Sequence, residues 1–236
     1  MGRVAEPGDV LAAVGAALSP GDLAGRRIMV TAGPTHEPID PVRFLGNRST
    51  GRMGIAVAAE ALARGASVTL VLGPGTVQPP PVAEVVRVET AEQLRGAVLA
   101  RFDGADAVVM AAAVADFRPK VVADGKLKKE LGPPELVLEP TPDVLRELGE
   151  RKASQVLVGF AAETDDVIAA GRRKLEAKRL DLVVANIVGR DGTGFGSDSN
   201  EAAILDAAGD DATIRTWTKT ELATAICDRL AALLGR

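Results

Sequence analysis

Short runs of β-branched and aliphatic residues alternate along this chain with longer segments of three-to-four-residue apolar spacing, and few folds accommodate that alternation. Residues 27–32, 67–72, 84–88, 105–111, 155–160 and 182–188 read as strands, several apolar on both faces, as strands inside a parallel sheet are. Between them, 54–64, 91–101, 143–152 and 166–179 predict helices. Thr90 and Thr141 stand where N-caps belong, and Pro142 fits a first helical position. After Asn200 the order changes: 202–206 and 213–217 predict an antiparallel hairpin, and a last helix runs from about Lys219 to Leu234. The expected fold class is α/β, Rossmann-like, with a largely parallel sheet flanked by helices and an antiparallel C-terminal edge. Residues 1–25 read as a linker or the tail of a preceding domain, and 26–236 as the folded domain.

Composition narrows the chemistry. With 47% hydrophobic residues in 236, the chain buries a full core without disulfides, and its single cysteine, Cys227, points to a reducing compartment and excludes a redox or structural zinc centre. His36 is the one histidine, which removes most imidazole-based metal sites. Tyrosine is absent, which excludes a Tyr-Lys catalytic pair. A net charge of -4 with mixed signs argues against nucleic acid as a partner. The longest apolar run, 107–115, falls far short of the roughly 20 residues a membrane helix needs, so no membrane span is expected, and 10–18 lacks the features of a secretory signal.

Ligands of open parallel sheets bind beyond the carboxyl ends of the strands, so the loops there carry the functional reading. After the first strand, Gly46-Asn47-Arg48-Ser49-Thr50-Gly51-Arg52-Met53-Gly54 opens a helix, and backbone N–H groups at Ser49 and Gly51 offer an anion cradle, although ordinary capping explains the same residues. Gly46 and Gly51 have Walker A spacing, but Arg52-Met53 replace the required Lys and Ser or Thr. No GxGxxG follows the first strand, and Gly73-Pro74-Gly75 stand where an acid would end the second, so a standard NAD site is not supported. After the strand holding Met110, the small residues Ala111, Ala112 and Ala113 permit close approach of a ligand, with Asp116 as an acceptor. Lys126, Lys128 and Lys129 follow, on a segment between Lys120 and Glu130 with the composition of a lid; alone they read as a solvated face. Phe160 ends a later strand, Lys174 and Lys178 share a helix face that alone reads as solvated, and Asn186 and 191–200 either line a site or form a long turn. His36, between Pro34 and Pro38, suits a buried or capping role as well as catalysis.

Taken in order, Thr31-Ala32-Gly33-Pro34-Thr35, Asp40-Pro41-Val42-Arg43, Asn47 with Ser49 and Gly51, Ala112-Ala113-Val114-Ala115-Asp116, Lys126-x-Lys128-Lys129, Gly159-Phe160-Ala161-Ala162-Glu163-Thr164 and Asn186 closely resemble bacterial phosphopantothenoylcysteine synthetase, also called phosphopantothenate-cysteine ligase. The resemblance runs from about Arg27 to the C-terminus. It implies a cytoplasmic enzyme of coenzyme A biosynthesis that uses CTP with Mg2+ (or Mn2+) to join cysteine to 4'-phosphopantothenate through an acyl-cytidylate. It further implies a homodimer, and a flavin-dependent decarboxylase fused ahead of residue 26 in the full-length protein, with no flavin in this domain. By match of motif, Asn47 and Lys126 would be catalytic, and Arg43, Asn47 and Ala113 would hold phosphopantothenate. The nucleotide would lie against Ser49, Gly51, Met110, Ala111, Ala112, Asp116, Lys126, Pro142, Asp143, Val144, Leu145, Phe160, Lys174 and Lys178. Metal ligands are not identified. Two other classes share parts of the pattern: a dinucleotide-binding oxidoreductase and a non-catalytic nucleotide-sensing module. A structural dimerisation domain, which would bind no nucleotide, also stays open.

Overall fold

A computed structural model describes residues 19–81, 84–189, 197, 199–207 and 212–235. In chain order its elements are β1 (Arg27–Ala32), β2 (His36–Pro38), β3 (Phe44–Gly46), α1 (Arg52–Ala63), β4 (Ser67–Leu72), β5 (Glu84–Arg87), α2 (Ala91–Phe102), β6 (Ala107–Met110), β7 (Phe117–Pro119), β8 (Leu138–Pro140), α3 (Val144–Arg151), β9 (Val156–Glu163), α4 (Val167–Ala177), β10 (Leu182–Ile187), β11 (Ser199–Asp206), β12 (Arg215–Thr218) and α5 (Lys219–Leu234). A short 3-10 turn spans Lys129–Leu131.

The main sheet has eight strands in the order β12-β11-β10-β9-β6-β1-β4-β5. From β10 to β5 all pairs are parallel, and β11 and β12 add an antiparallel edge. The expected α/β, Rossmann-like class is therefore the observed one. Alternation along the strands explains why they read as apolar on both faces. Ile28, Val30, Val109, Val158 and Val184 pack on one side beneath α1 and α5, through Val57, Ala58, Leu222 and Ile226. Met29, Val108, Leu157 and Val183 pack on the other beneath α2, α3 and α4, through Leu94, Val98, Phe102, Leu148 and Leu175.

The hairpin read in the sequence is present as β11 and β12, although residues 208–211 of its turn lie outside the described residues. One cap differs from expectation. Thr141 does not cap α3, and Pro142 is not its first residue: Asp143 is the N-cap, its carboxylate accepting from Arg146 N at 3.1 Å. A carboxylate there receives an amide bond and also complements the helix dipole. Thr141 instead donates its hydroxyl to Ala115 O at 2.6 Å.

Two small sheets, β2–β3 and β7–β8, lie in stretches that the sequence presented as loops. Packing also reaches back before residue 26: Leu23 is fully buried, and Asp22 pairs with Arg64 at the end of α1. Residues 1–18 lie outside the described residues. The Arg64 side chain is 4% exposed and also meets Asp228 at 2.7 Å and Glu60 at 3.8 Å, and the Asp22 hydrogen bond chiefly holds its guanidinium charged. Arg64→Met is expected to destabilise the fold by about 2 kcal/mol, below the full cost of breaking a buried pair because Asp22 and Asp228 reach water. Urea denaturation would measure it, and an unchanged midpoint would show the cluster to be stabilising nothing.

Candidate active site

Crossing from β1 outward in both directions makes a topological switch between β1 and β6, where loops leave the sheet to opposite sides. A cavity of about 650 Å3 opens beyond these carboxyl ends, a size suited to one small ligand. Its floor is stitched from loop to loop. Pro34 and Ala113 form a parallel bridge, Ala113 N donates to Gly33 O at 2.9 Å, and Thr35 N donates to Ala113 O at 3.3 Å. Thr31 Oγ1 accepts from Ala112 N at 3.0 Å, and Thr35 Oγ1 accepts from Ala115 N at 2.9 Å. The threonines of the first loop thus fix the alanine-rich second one.

The start of α1 forms one wall, with Ser49, Gly51 and Gly54 on the lining. Gly51 takes φ +79 and caps the helix without a side-chain hydrogen bond, which turns the start of α1 toward the cavity. Gly54 lets the helix end sit hard against β1, since a Cβ there would lie 2.6 Å from Ala32 Cβ and 2.7 Å from Thr31 O. Asn47 stands at the rim, where its Nδ2 donates to Ala113 O at 3.2 Å and to Val114 O at 3.0 Å. Both amide protons are therefore engaged with the alanine loop, and any donation to a ligand requires this latch to open.

Opposite, Lys174 donates to Phe160 O, and burial, with Lys178 nearby, lowers its pKa. Lys178 bonds Asp143 Oδ1 at 2.8 Å. Burial of Asp143 opposes its ionisation, but the Lys178 and Arg146 bonds outweigh that and hold its pKa below the ordinary value. The helix face carrying these two lysines is therefore a cavity wall rather than a solvated surface. The far end is closed by Glu163, Asn186, Val188, Asn200 and Lys219.

Of the residues singled out from the sequence, Asn47, Ser49, Gly51, Met110, Ala111, Ala112, Ala113, Asp116, Pro142, Asp143, Val144, Leu145, Phe160, Lys174, Lys178 and Asn186 share this cavity. Arg43 and Lys126 do not line it. They line a second cavity of about 1130 Å3 with Leu127, Lys128, Lys129 and Glu130. Arg43 is committed there: it pairs with Asp40, a carboxylate that the guanidinium holds far below its ordinary pKa, and Arg43 Nη2 donates to Leu127 O at 2.7 Å. Leu127 N returns a bond to Asp40 Oδ2 at 3.1 Å, so the segment carrying Lys126 is tied to the β2–β3 turn. His36 stacks on Phe44 with ring centroids 3.6 Å apart, the structural role open to it. Residues 190–196 and 198 lie outside the described residues.

Sequence reasoning missed Thr31, Thr35 and Thr141 as loop fasteners, and Lys219 as a lining residue. Their place in the motif Thr31-Ala32-Gly33-Pro34-Thr35 at the end of the first strand gave the signal for the first two; for Lys219, placed at a helix start by its pattern, there was none. Among the described residues no group of three or more His, Cys, Asp or Glu could hold a metal ion, and no helix is long and apolar enough to cross a membrane.

Comparison with known proteins gives the chain its family. Residues 23–234 match the DNA/pantothenate metabolism flavoprotein C-terminal domain. The coenzyme A biosynthesis bifunctional protein CoaBC of Bacillus subtilis (strain 168) is 48% identical over 212 residues, covering 89% of this chain and 52% of that protein. CoaBC of Mycobacterium tuberculosis (strain ATCC 25618 / H37Rv) is 47% identical over 229 residues, 92% of this chain and 54% of that protein. The chain thus spans about half the length of these curated relatives. A crystal structure of the C-terminal domain of CoaBC superposes with a TM-score of 0.78 at 39% identity, covering 91% of this chain and 98% of that one. The chain therefore belongs to the DNA/pantothenate metabolism flavoprotein C-terminal domain family, alongside the C-terminal domain of CoaBC.

Proposed function

We propose that this chain ligates cysteine to 4'-phosphopantothenate in coenzyme A biosynthesis, consuming CTP. A carboxylate oxygen of phosphopantothenate attacks the α-phosphorus of CTP and pyrophosphate leaves, giving 4'-phosphopantothenoyl-CMP. The amine of cysteine then attacks the acyl carbon, loses a proton and displaces CMP, giving 4'-phosphopantothenoylcysteine. The observation that carries this reading is one cavity in which a helix N-terminus, two lysines and Asn47 surround a backbone-lined floor, in a chain 39% identical to the C-terminal domain of CoaBC.

Each wall has a task in that reaction. The amides opening α1 attract phosphate oxygens, and the small residues Ala111 to Ala113 let the nucleotide lie close to the backbone. Lys174 and Lys178 add positive charge at the opposite wall, where phosphoryl transfer depends on positioning and electrostatics. Asn47 faces the loop that would hold the acyl group, and its amide is the donor available to a developing oxyanion once the latch to Ala113 and Val114 opens. No covalent intermediate on the protein is required. Mg2+ (or Mn2+) would enter with the triphosphate as part of the substrate and offset its charge.

The same reading includes a homodimer. Val42, Phe44, Phe117, Val121, Val122, Leu136, Val137 and Leu138 are exposed large hydrophobics on or beside β2–β3 and β7–β8, a concentration typical of an interface rather than a free surface. Arg43 and Lys126 lie on this same side, outside their own chain's main cavity, as residues serving a partner's cavity would. Val121→Asp combined with Val137→Asp is expected to give a folded monomer with little ligase activity; analytical ultracentrifugation would show it, and an unchanged dimer mass would place the interface elsewhere. We further place a flavin-dependent decarboxylase ahead of this domain in the full-length protein, with no flavin in this domain and a cytoplasmic location; that the curated relatives are named bifunctional and are about twice as long as the part matched here supports a fused second domain.

Calorimetric titration with CTP and ATP tests the nucleotide assignment. Saturable binding of CTP, tighter than ATP, is expected; preference for ATP would overturn the choice of base while leaving the ligation chemistry intact.

A further inference from the structure

At the far end of the cavity three polar side chains form a chain whose direction is fixed by one of them. Lys219 Nζ donates to Asn200 Oδ1 at 2.8 Å, and Asn200 Nδ2 donates to Asn186 Oδ1 at 2.8 Å. An ammonium group only donates, whereas an amide can turn either way. Lys219 therefore forces the oxygen of Asn200 toward itself and the nitrogen toward Asn186. Asn186 must answer with its oxygen, and its own Nδ2 is left facing away from Asn200. Asn186 is 7% exposed and lines the cavity, and no described residue accepts from its Nδ2. A buried amide N–H pair without a partner calls for an acceptor, and the cavity is where one can enter.

The three residues sit on rigid elements. Asn186 belongs to the interior strand β10, Asn200 to β11, and Lys219 begins α5 behind a capping box between Thr218 and Glu221. Asn200 is itself 6% exposed, so the two amides cannot exchange their orientation for bonds to bulk water. The helix start thus holds the lysine, the lysine sets the first amide, and the first amide sets the second.

We infer that Lys219 and Asn200 are positioning residues: together they orient the Asn186 amide so that it presents a donor, never an acceptor, to an oxygen of the bound nucleotide. This rests on the nucleotide reading of the cavity given above. The relay acts on affinity, because it prepares a hydrogen bond to the ligand and touches no reacting atom.

Neutral replacements of Lys219 separate orientation from charge. Lys219→Met and Lys219→Gln both remove the positive charge, but only Gln retains an amide that can donate to Asn200 Oδ1; Lys219→Arg retains both charge and donor. With the whole chain, CTP binding by calorimetry is expected to weaken about tenfold more in Lys219→Met than in Lys219→Gln, with Lys219→Arg close to wild type. KM for CTP should rise more than kcat falls. Asn200→Ser breaks the relay one link later with Lys219 in place, and is expected to weaken binding as Lys219→Met does, so a poorly folded Met variant would still leave a test. Thermal melting of each variant without ligand monitors folding. Tripolyphosphate and cytidine serve as separate probes. Parallel losses for CTP and tripolyphosphate would assign the accepting oxygen to a phosphate, and parallel losses for CTP and cytidine to the nucleoside; either supports the relay. Equal weakening in Met and Gln would mean that the lysine acts by charge alone, and unchanged binding in Met and in Asn200→Ser would mean that it orients nothing. Both would overturn the relay while leaving the nucleotide site standing. Absence of any wild-type CTP binding would overturn the nucleotide reading, and the relay with it.

Discussion

Asn47→Asp is expected to leave formation of the acyl-cytidylate in place and to block its transfer to cysteine, lowering product formation by roughly 10²–10³-fold, the usual cost of removing one oxyanion donor. The amide now donates to Ala113 O and Val114 O. A carboxylate at the same position would face two carbonyl oxygens with no proton to offer, so it could neither close the latch nor stabilise an oxyanion. Asn47→Ala controls for the repulsion, because it opens the latch without adding charge, and the half-reaction that slows distinguishes the two losses. If oxyanion stabilisation is the function, both variants accumulate the intermediate, as quenched-flow mass spectrometry would show. If the latch alone matters, the nucleotide floor loosens and the first half-reaction slows as well. An unaffected rate of product formation in both would remove Asn47 from the chemistry.

Lys126→Gln is expected to lower the rate of acyl-cytidylate formation by a comparable factor, about 2.7–4 kcal/mol of transition-state stabilisation, with little change in melting temperature. Lys126 is exposed and makes no ion pair among the described residues, so the fold does not depend on it. Lys128→Gln, on the neighbouring solvated position, serves as the control; a loss confined to that variant would move the role along the loop. Because Lys126 lies outside its own chain's main cavity, subunit mixing gives a further test. A dimer of one Asn47→Asp subunit and one Lys126→Gln subunit contains one intact site if Lys126 serves the partner, and none if it serves its own chain. Recovery of about half the wild-type activity is expected.

The parallel sheet was legible because its strands are short, continuous β-branched runs set between helical patterns: Ile28 and Met29, or Val183 and Val184, go to opposite cores, and both must be apolar. The antiparallel edge was legible for a different reason: two short runs, 202–206 and 213–217, flank the turn-forming sequence Ala207-Ala208-Gly209-Asp210. What stayed hidden was short. β2–β3 and β7–β8 are three-residue strands, too brief for a period, and β2 and β8 carry prolines that discourage a strand reading. The cap of α3 was misplaced by two residues because Thr141 and Pro142 together imitate a helix start, while Asp143 supplies the stronger acceptor.

At the site, local motifs placed the near walls and, at the far end, Glu163 and Asn186, but not Lys219. Loop sequences name which residues follow a strand, and the fold brings strand ends together, so Asn47, Ala113, Asp116, Phe160 and Lys174 could be foreseen as neighbours. Lys219 and Asn200 come from the antiparallel edge, and only the register of β11 against β10 and β12 brings them beside Asn186. Nor does sequence say on which side of a chain a lysine-bearing segment folds. The bond from Arg43 to Leu127 O ties that segment to the β2–β3 turn, and Lys126 lies away from the main cavity of its own chain.

The most direct measurement is product formation by the purified chain, given 4'-phosphopantothenate, cysteine, CTP and magnesium and followed by mass spectrometry with parallel assay of pyrophosphate and CMP. Expected are 4'-phosphopantothenoylcysteine, with pyrophosphate and CMP released in equal amounts to it, and, when cysteine is withheld, the acyl-cytidylate alone. A folded dimer that releases no pyrophosphate above a no-enzyme control and makes no phosphopantothenoylcysteine would contradict the proposed ligation.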